Sequence, residues 1–294
     1  MERWTIQKLL NWITDFLTQK GIDSPRLSAE LLLTYALGLS RIELYTLFDR
    51  QVEPKKLEVL RGLVKRCGQH EPAAYLVGRC EFYSLPLKIT RDCLIPRPET
   101  ELLVERAIEF LRKRTGTQQA LDLCTGNGCI AAAIAKNHKD CTVVATDICD
   151  KALAVAAENA SSLKLNERVK LLCGDLFDPI IEGLDEAKFD LIVCNPPYVS
   201  DAEFEKLDKT VKDYEPRRAL YGGTDGLDTY RRIISSVGDF LKADGALMLE
   251  IGYAQGKAVQ ALLESTGLFG SIQLEKDPAK NDRVVIAKRG SPKN

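Results

Sequence analysis

Apolar positions in the first seventy residues recur with the period of an α-helix. Ile6, Leu9, Leu10, Ile13, Phe16 and Leu17 share one face, and Gly21 closes that segment. Ser24-Pro25 reads as an N-cap followed by a first-turn proline, opening a second helix through Leu27, Leu31, Leu32 and Leu37. Ser40-Arg41-Ile42-Glu43 is a capping-box pattern, because the serine can accept from the backbone N–H three residues on while the glutamate reaches back. A short third helix follows it. Pro54 opens a fourth, with Leu57, Leu60, Leu63 and Val64 on one face. Such stripes form core, and no chemistry is assigned to them.

From Glu71-Pro72 to Thr90 the period changes. Leu85, Leu87 and Ile89 alternate around Lys88 like a strand, and residues 78–84 supply a partner, which predicts a β-hairpin. The stretch IPRPETELLVERAIEFL then places Pro98 at a helix start, Glu99 and Glu101 in its first turn, and an apolar stripe through Leu102, Leu103, Ala107 and Ile108. Beyond Gln119 strands and helices alternate: ALDLCT, a helix from about Gly128, TVVATD, a helix near Ala152 to Leu163, VKLLCGD and FDLIVCN. A helix from Tyr230 to Leu241, ALMLEIG, a helix through Ala258 to Leu263, SIQLEKD and RVVIAKR complete the series. This alternation predicts an α/β fold with a doubly wound, mostly parallel sheet. The last two strands lack a helix between them and are expected as an antiparallel pair. The expected organisation is a helical domain over 1–75, a hairpin linker over 76–94 and an α/β domain over 95–294, ending in a short polar tail after Arg289.

Composition narrows the classes. The 294 residues are 45% hydrophobic, enough for a substantial core. Net charge is −1, divided as about +3 over residues 1–90 and about −4 over the remainder, too small for the usual nucleic-acid footprint. Neither a signal-peptide pattern nor an apolar run of membrane-spanning length is present, so a cytoplasmic protein is expected. Nine cysteines form no C-x-x-C, and only His70 and His138 could join them as ligands, so no metal site is expected. Cys124, Cys141, Cys173 and Cys194 lie in or beside strands, where a free thiol acts as a small hydrophobe.

Candidate chemistry gathers at strand exits. LDLCTGNGCIAA is a strand, a glycine turn and a helix start, and Asp147 follows Gly128 by 19 residues at the end of the next strand. Glycines let backbone approach a ligand, and a carboxylate so placed can accept both hydroxyls of a ribose. This fits NAD and S-adenosylmethionine equally. Asp175, in CGDLF after the third strand, can accept from an adenine amine or cap a helix. The fourth strand runs into Asn195-Pro196-Pro197-Tyr198. Two prolines make a stiff exit, and they can also aim acceptors, the Asn195 oxygen and the Pro196 carbonyl, at an N–H2 group with Tyr198 as a wall. Ligands of open α/β sheets bind outside the carboxyl ends of the strands, so these residues should converge on one crevice.

With NPPY in place, the sequence resembles the Rossmann-like class I S-adenosylmethionine-dependent methyltransferases that methylate planar nitrogens. The order of a helical amino-terminal domain, a hairpin, IPRPETE at 95–101, NPPY, YEPRRALYGGTDGL at 214–227 and LEIGYAQG at 249–256 is similar to that of the HemK/PrmC family. That resemblance covers nearly the whole chain. It implies methyl transfer from S-adenosylmethionine to the glutamine side chain in the GGQ motif of bacterial peptide chain release factors. It implies cofactor contacts from Asp122, Cys124, Thr125, Gly126, Asn127, Gly128, Asp147, Asp175, Leu176 and Asn195, and substrate contacts from Asn195, Pro196, Pro197 and Tyr198. Two positions depart from the family pattern: Cys124 stands where a glycine is common and Leu176 where tryptophan is common. The resemblance further suggests that the loop with Arg97, Glu99 and Glu101 closes over the cofactor or product side. Arg217 and Arg218 read as surface charges, and Glu250 faces the crevice without an assigned role.

The chemistry accounts for the loop. An amide nitrogen is a poor nucleophile because its lone pair is delocalised. Fixing both N–H bonds on the Asn195 oxygen and the Pro196 carbonyl orients the remaining lobe and stabilises the positive charge that develops on nitrogen. No side-chain base is required, since the methylated nitrogen becomes acidic and loses its proton afterward. An adenine-amine methyltransferase would use the same loop on a flipped base, but the near-neutral charge and the absence of a basic target-recognition domain argue against it. A glutamine of another protein, such as a ribosomal protein, would demand the same chemistry.

Overall fold

The computed structural model describes residues 4–183 and 187–290, so the polar tail lies outside the described residues beyond Gly290. Two compact units are present: the described residues up to Arg79 together with Asp208–Tyr214, and Cys80–Leu207 with Glu215 onward.

The first unit is helical. It contains α1 (Ile6–Gln19), α2 (Pro25–Leu37), α3 (Arg41–Thr46), α4 (Pro54–Cys67) and α5 (Ala73–Val77), and one core collects Ile6, Leu10, Ile13, Leu17, Leu32, Leu33 and Leu44. Leu27, expected on the apolar face of α2, is exposed instead, and Leu33, which that stripe did not include, is buried. The capping box at Ser40 and Glu43 is formed in full. The cap at Ser24 is not: its φ of 49° is left-handed, so its hydroxyl does not reach the helix N–H groups, and Pro25 alone sets the start. α5 falls where the hairpin was expected to begin.

The second unit opens with the hairpin β1 (Arg79–Phe82) and β2 (Leu85–Lys88), whose first residue still groups with the helical unit. Then come α6 (Thr100–Arg112), β3 (Gln118–Leu123), α7 (Cys129–Asn137), β4 (Cys141–Asp147), α8 (Asp150–Ser162), β5 (Val169–Cys173), α9 (Asp178–Gly183) and β6 (Phe189–Cys194). Three short helices follow, α10 (Asp201–Phe204), α11 (Lys209–Lys212), which belongs to the helical unit, and α12 (Arg217–Leu220). The chain ends in α13 (Asp228–Ser236), β7 (Leu241–Glu250), α14 (Gly256–Glu264), β8 (Phe269–Lys276) and β9 (Asp282–Arg289).

Two expected boundaries move. α6 starts at Thr100, because Pro98 and Glu99 lie in a turn whose bonds, such as Thr100 N to Arg97 O at 3.1 Å, span three residues. The helix expected to reach Leu241 ends at Ser236 and passes through a 3-10 turn, Val237–Asp239. The Phe240 carbonyl then accepts from Phe189 N at 2.8 Å, and sheet pairing takes Leu241 as a strand residue despite its helical spacing.

Strand order is β5-β4-β3-β6-β7-β9-β8, parallel from β5 through β7 and antiparallel in the last two pairings. Central strands are buried on both faces, as parallel sheets require. Alternate residues feed two layers. Leu191 and Val193 pack with α6 and α7 residues such as Leu103 and Ile130, while Ile192 and Cys194 pack with Tyr230, Ile233 and Val259. The register places Leu123 beside both Thr146 and Cys194, and Cys194 beside Leu249, so these strands end at one level. Strand order reverses between β3 and β6, which makes their shared exit the topological switch point.

Candidate active site

The glycine turn leaves β3 at that switch point. Cys124, Gly126 and Gly128 all have positive φ, of 56°, 57° and 79°. Cys124, where the resembled family commonly has glycine, therefore holds a left-handed conformation that disfavours an L side chain by about 1 to 2 kcal/mol. The two glycines differ in function. A Cβ on Gly128 would stand 3.1 Å from the Ala156 Cβ, so its absence lets α8 pack; a Cβ on Gly126 would meet nothing within 4 Å, so this backbone borders open space. Asp147 braces the turn, its Oδ2 accepting from Gly126 N at 2.8 Å and its Oδ1 from Cys149 N at 2.9 Å. Burial raises its carboxyl above the ordinary range despite those bonds.

Several expected cofactor contacts lie behind this surface. Asp122 is 0% exposed and shapes the turn from below, accepting from Thr125 Oγ1 at 2.5 Å and Ala131 N at 3.1 Å. Burial pushes its carboxyl up to about 7. Thr125 and Asn127 are also buried, although Asn127 Nδ2 has no hydrogen-bond partner among the described residues. Leu176, left-handed at φ 48°, turns its side chain into the core and its carbonyl to Thr146 Oγ1 at 3.0 Å. Asp175 keeps one oxygen on Arg232 at 2.7 Å.

The loop leaving β6 faces the turn across the switch point. Asn195 is half-buried and its Nδ2 donates to Thr100 Oγ1 at 3.3 Å. Among the described residues nothing donates to Asn195 Oδ1 or to the Pro196 carbonyl. Burial lifts the Tyr198 phenol to about 12, so its hydroxyl keeps its proton.

What holds this loop went unread in the sequence. Val199 pairs with Tyr221 as a parallel bridge, donating to Leu220 O at 2.8 Å and accepting from Gly222 N at 2.9 Å. Gln255 Nε2 reaches the Tyr198 carbonyl at 2.9 Å and the Gly226 carbonyl at 3.2 Å, while its Oε1 accepts from Gly252 N at 2.9 Å. YGGTDGL and LEIGYAQG thus clamp NPPY from two directions. The acidic loop has a similar anchor: buried Glu215 accepts from Ile95 N at 3.2 Å and pairs with Arg97, whose Nη1 donates to Ile95 O at 3.0 Å. Glu101 accepts from Tyr83 N at 2.8 Å. Arg97 and Glu101 are therefore engaged within the protein. Arg217 lies over the Phe204 and Tyr221 rings at 4.9 Å from each, and the charge of Arg218 favours the ionised form of Asp147.

The described residues contain no cluster of three or more His, Cys, Asp or Glu able to hold a metal, and no helix long and apolar enough to cross a membrane. None of the nine cysteines is in a disulfide, and burial raises Cys67 to about 11 and Cys80, Cys93 and Cys141 to about 12, which suppresses thiolate chemistry there. Cys173, unlike the others named from the strands, is exposed.

Comparison with known proteins agrees with this geometry. The PrmC N-terminal domain matches residues 8–78 and the methyltransferase small domain residues 99–212. A release factor glutamine methyltransferase of Rhodopirellula baltica is 42% identical over 286 residues, covering 96% of this chain and 95% of that protein. Its counterpart in Geobacter sulfurreducens is 42% identical over 289 residues, covering 98% of each. The crystal structure of a methyltransferase from Pyrococcus furiosus superposes with a TM-score of 0.51 at 20% identity, covering 71% of this chain and 91% of that one, a likeness of fold. Shared sequence along almost its full length, with the doubly wound sheet and the NPPY exit at its switch point, makes this chain a member of the release factor glutamine methyltransferase family.

Proposed function

We propose that this chain methylates the side-chain amide nitrogen of the glutamine in the GGQ motif of bacterial class I peptide chain release factors, using S-adenosylmethionine. One observation carries the reading. At the switch point Asn195 has its N–H2 engaged by Thr100, and its oxygen, like the Pro196 carbonyl, accepts from no described residue. Two adjacent acceptors on a proline-stiffened loop suit a group that offers two N–H bonds, which is a primary amide.

The turn opposite suits the cofactor. Gly126 borders open space, the orphaned Asn127 Nδ2 is a spare donor beside it, and Asp147 offers an acceptor at the strand end. When bound there, S-adenosylmethionine supplies an electrophilic methyl group. Gly126, Asn127 and Asp147 would hold it, with the Asp175 carboxylate and the Leu176 backbone lining the far end; Asp122 and Thr125 act by shaping the turn.

On the substrate side, Asn195 Oδ1 and the Pro196 carbonyl accept the two N–H bonds, holding the nitrogen lone pair out of conjugation with its carbonyl. The same oxygens stabilise positive charge as it develops on nitrogen. Tyr198 walls the amide plane, and its phenol stays neutral. The proton leaves to water once the nitrogen is methylated, so no base is needed. The helical domain docks the release factor while the glutamine is presented, and a cytoplasmic setting follows from that partner.

Intact-protein and peptide mass spectrometry of unmethylated release factor, after incubation with the protein and labelled S-adenosylmethionine, tests this. The expected product is one methyl group on the GGQ glutamine; label on a ribosomal protein or on an adenine amine instead would refute the reading. Asp147→Ala should weaken S-adenosylmethionine binding by about 1.5 to 3 kcal/mol, the usual loss for a charge-assisted contact. Calorimetry giving unchanged affinity would remove Asp147 from the cofactor site.

A further inference from the structure

One side chain ties the glycine turn to the hairpin. Asn159, on α8, is 1% exposed. Its Oδ1 accepts from Lys88 N at 2.7 Å, and its Nδ2 donates to Lys88 O at 3.1 Å and to Asn127 O at 2.9 Å. An asparagine amide offers two N–H bonds; both meet carbonyls here while the oxygen meets an N–H, so the amide fits in one orientation. The peptide joining Asn127 to Gly128 is thereby held at both ends, its carbonyl by Asn159 and its N–H by Thr125 O at 2.9 Å. One turn earlier in α8, the Ala156 Cβ packs 3.1 Å from where a Cβ on Gly128 would stand.

The other end of the tie is a two-stranded hairpin, which is marginal by itself and depends on what it packs against. Phe82, Leu85 and Leu87 enter the core that α6 and α7 share, and Lys88, the last residue of β2, sets its main chain on Asn159. The exposed ion pair of Lys88 with Glu158 at 2.6 Å adds little to this.

We propose that Asn159 is a positioning residue for the methyl donor, fixing the Asn127 peptide against β2 so that the hairpin is part of what keeps the S-adenosylmethionine site in shape. The inference rests on the cofactor reading above and adds a support that lies outside the glycine turn. Asn127 Oδ1 accepts from Cys129 N at 3.3 Å, and its Nδ2 is buried without a partner among the described residues. The donor that the turn keeps for a ligand thus rides on the peptide that Asn159 holds. Ordering either end of the tie lowers the cost of ordering the other, which couples cofactor binding to the hairpin.

The test measures S-adenosylmethionine binding to the full-length protein by calorimetry. Asn159→Leu keeps the branched shape and removes all three bonds; it should weaken binding about tenfold, the scale of one hydrogen bond lost with its carbonyl left buried. Asn159→Asp still accepts from Lys88 N but cannot donate to Asn127, and should bind as weakly as the leucine variant. Leu263→Ala, in the core of the opposite layer, is the control: it should lower the melting midpoint and leave the affinity unchanged. A second readout is hydrogen exchange at the Lys88 amide, which S-adenosylmethionine should slow several-fold in wild type and not in Asn159→Leu. Wild-type affinity in a folded Asn159→Leu or Asn159→Asp protein, an equal loss in Leu263→Ala, or a wild-type Lys88 amide indifferent to the cofactor overturns the inference. A protein that binds S-adenosylmethionine but leaves release factor unmethylated refutes the proposed function, while this series still decides the role of Asn159.

Discussion

Asn195→Ala should lower the single-turnover rate of methyl transfer by about 10² to 10³, the effect of removing one preorganised acceptor at a centre of developing charge. Release factor affinity should change far less, since a docked protein is held by a much larger surface than one amide. Asn195→Asp separates the parts of the role. It keeps an acceptor oxygen and nearly the same shape, but it replaces the Nδ2 donor that now reaches Thr100 Oγ1 at 3.3 Å. Thr100 would then face a carboxylate in place of that donor. The aspartate variant is therefore expected between wild type and alanine in rate. Single-turnover methylation of release factor at saturating cofactor measures both, with the thermal midpoint as the folding control. An alanine variant at the wild-type rate would reduce NPPY to a stiff strand exit and move the active site elsewhere.

Gly222→Ala should cost about 10² in the same rate without touching any group that does chemistry, because a displacement near 1 Å of a positioning element is enough. A Cβ at Gly222 would lie 2.6 Å from the Pro197 carbonyl oxygen, 2.8 Å from the Tyr198 Cα and 2.9 Å from the Gly226 carbonyl oxygen. All three are backbone atoms, so no side-chain rotation relieves the overlap and the NPPY loop must move. Overpacking of this kind destabilises by about 1 to 3 kcal/mol. The expected pattern is a lowered melting midpoint, near-normal cofactor affinity by calorimetry and slow transfer. Wild-type transfer by a folded Gly222→Ala protein would show that the loop does not need this backing.

The turn and the loop were legible because their signals are local. Glycines, prolines and strand-ending carboxylates punctuate a period-two pattern, and the sheet order then brings residues 126, 147 and 195 to one edge. The supports were not legible. Thr100 reaches Asn195 across 95 positions, and the Tyr198 carbonyl takes its donor from Gln255, 57 positions away. Neither residue type announces such a partner. The depth of Asp122 was not legible either: it sits in the motif, and the chain passes it beneath the turn, where it is wholly buried. Leu241 kept a helical spacing that sheet pairing overrode.

The helical unit is discontinuous, since Asp208–Tyr214 group with the residues before Arg79, and the Tyr214 hydroxyl donates to the Gln69 carbonyl at 2.9 Å. Domains that emerge from the ribosome as one uninterrupted stretch fold as they appear. Here the amino-terminal helices leave the exit tunnel well before the segment that completes them. Four of the parallel strands, β3 through β6, are synthesised in the interval. The last segment of the unit is consequently made after the strand that leads into the NPPY loop, so the contact between Tyr214 and Gln69 can form only once that strand has been synthesised.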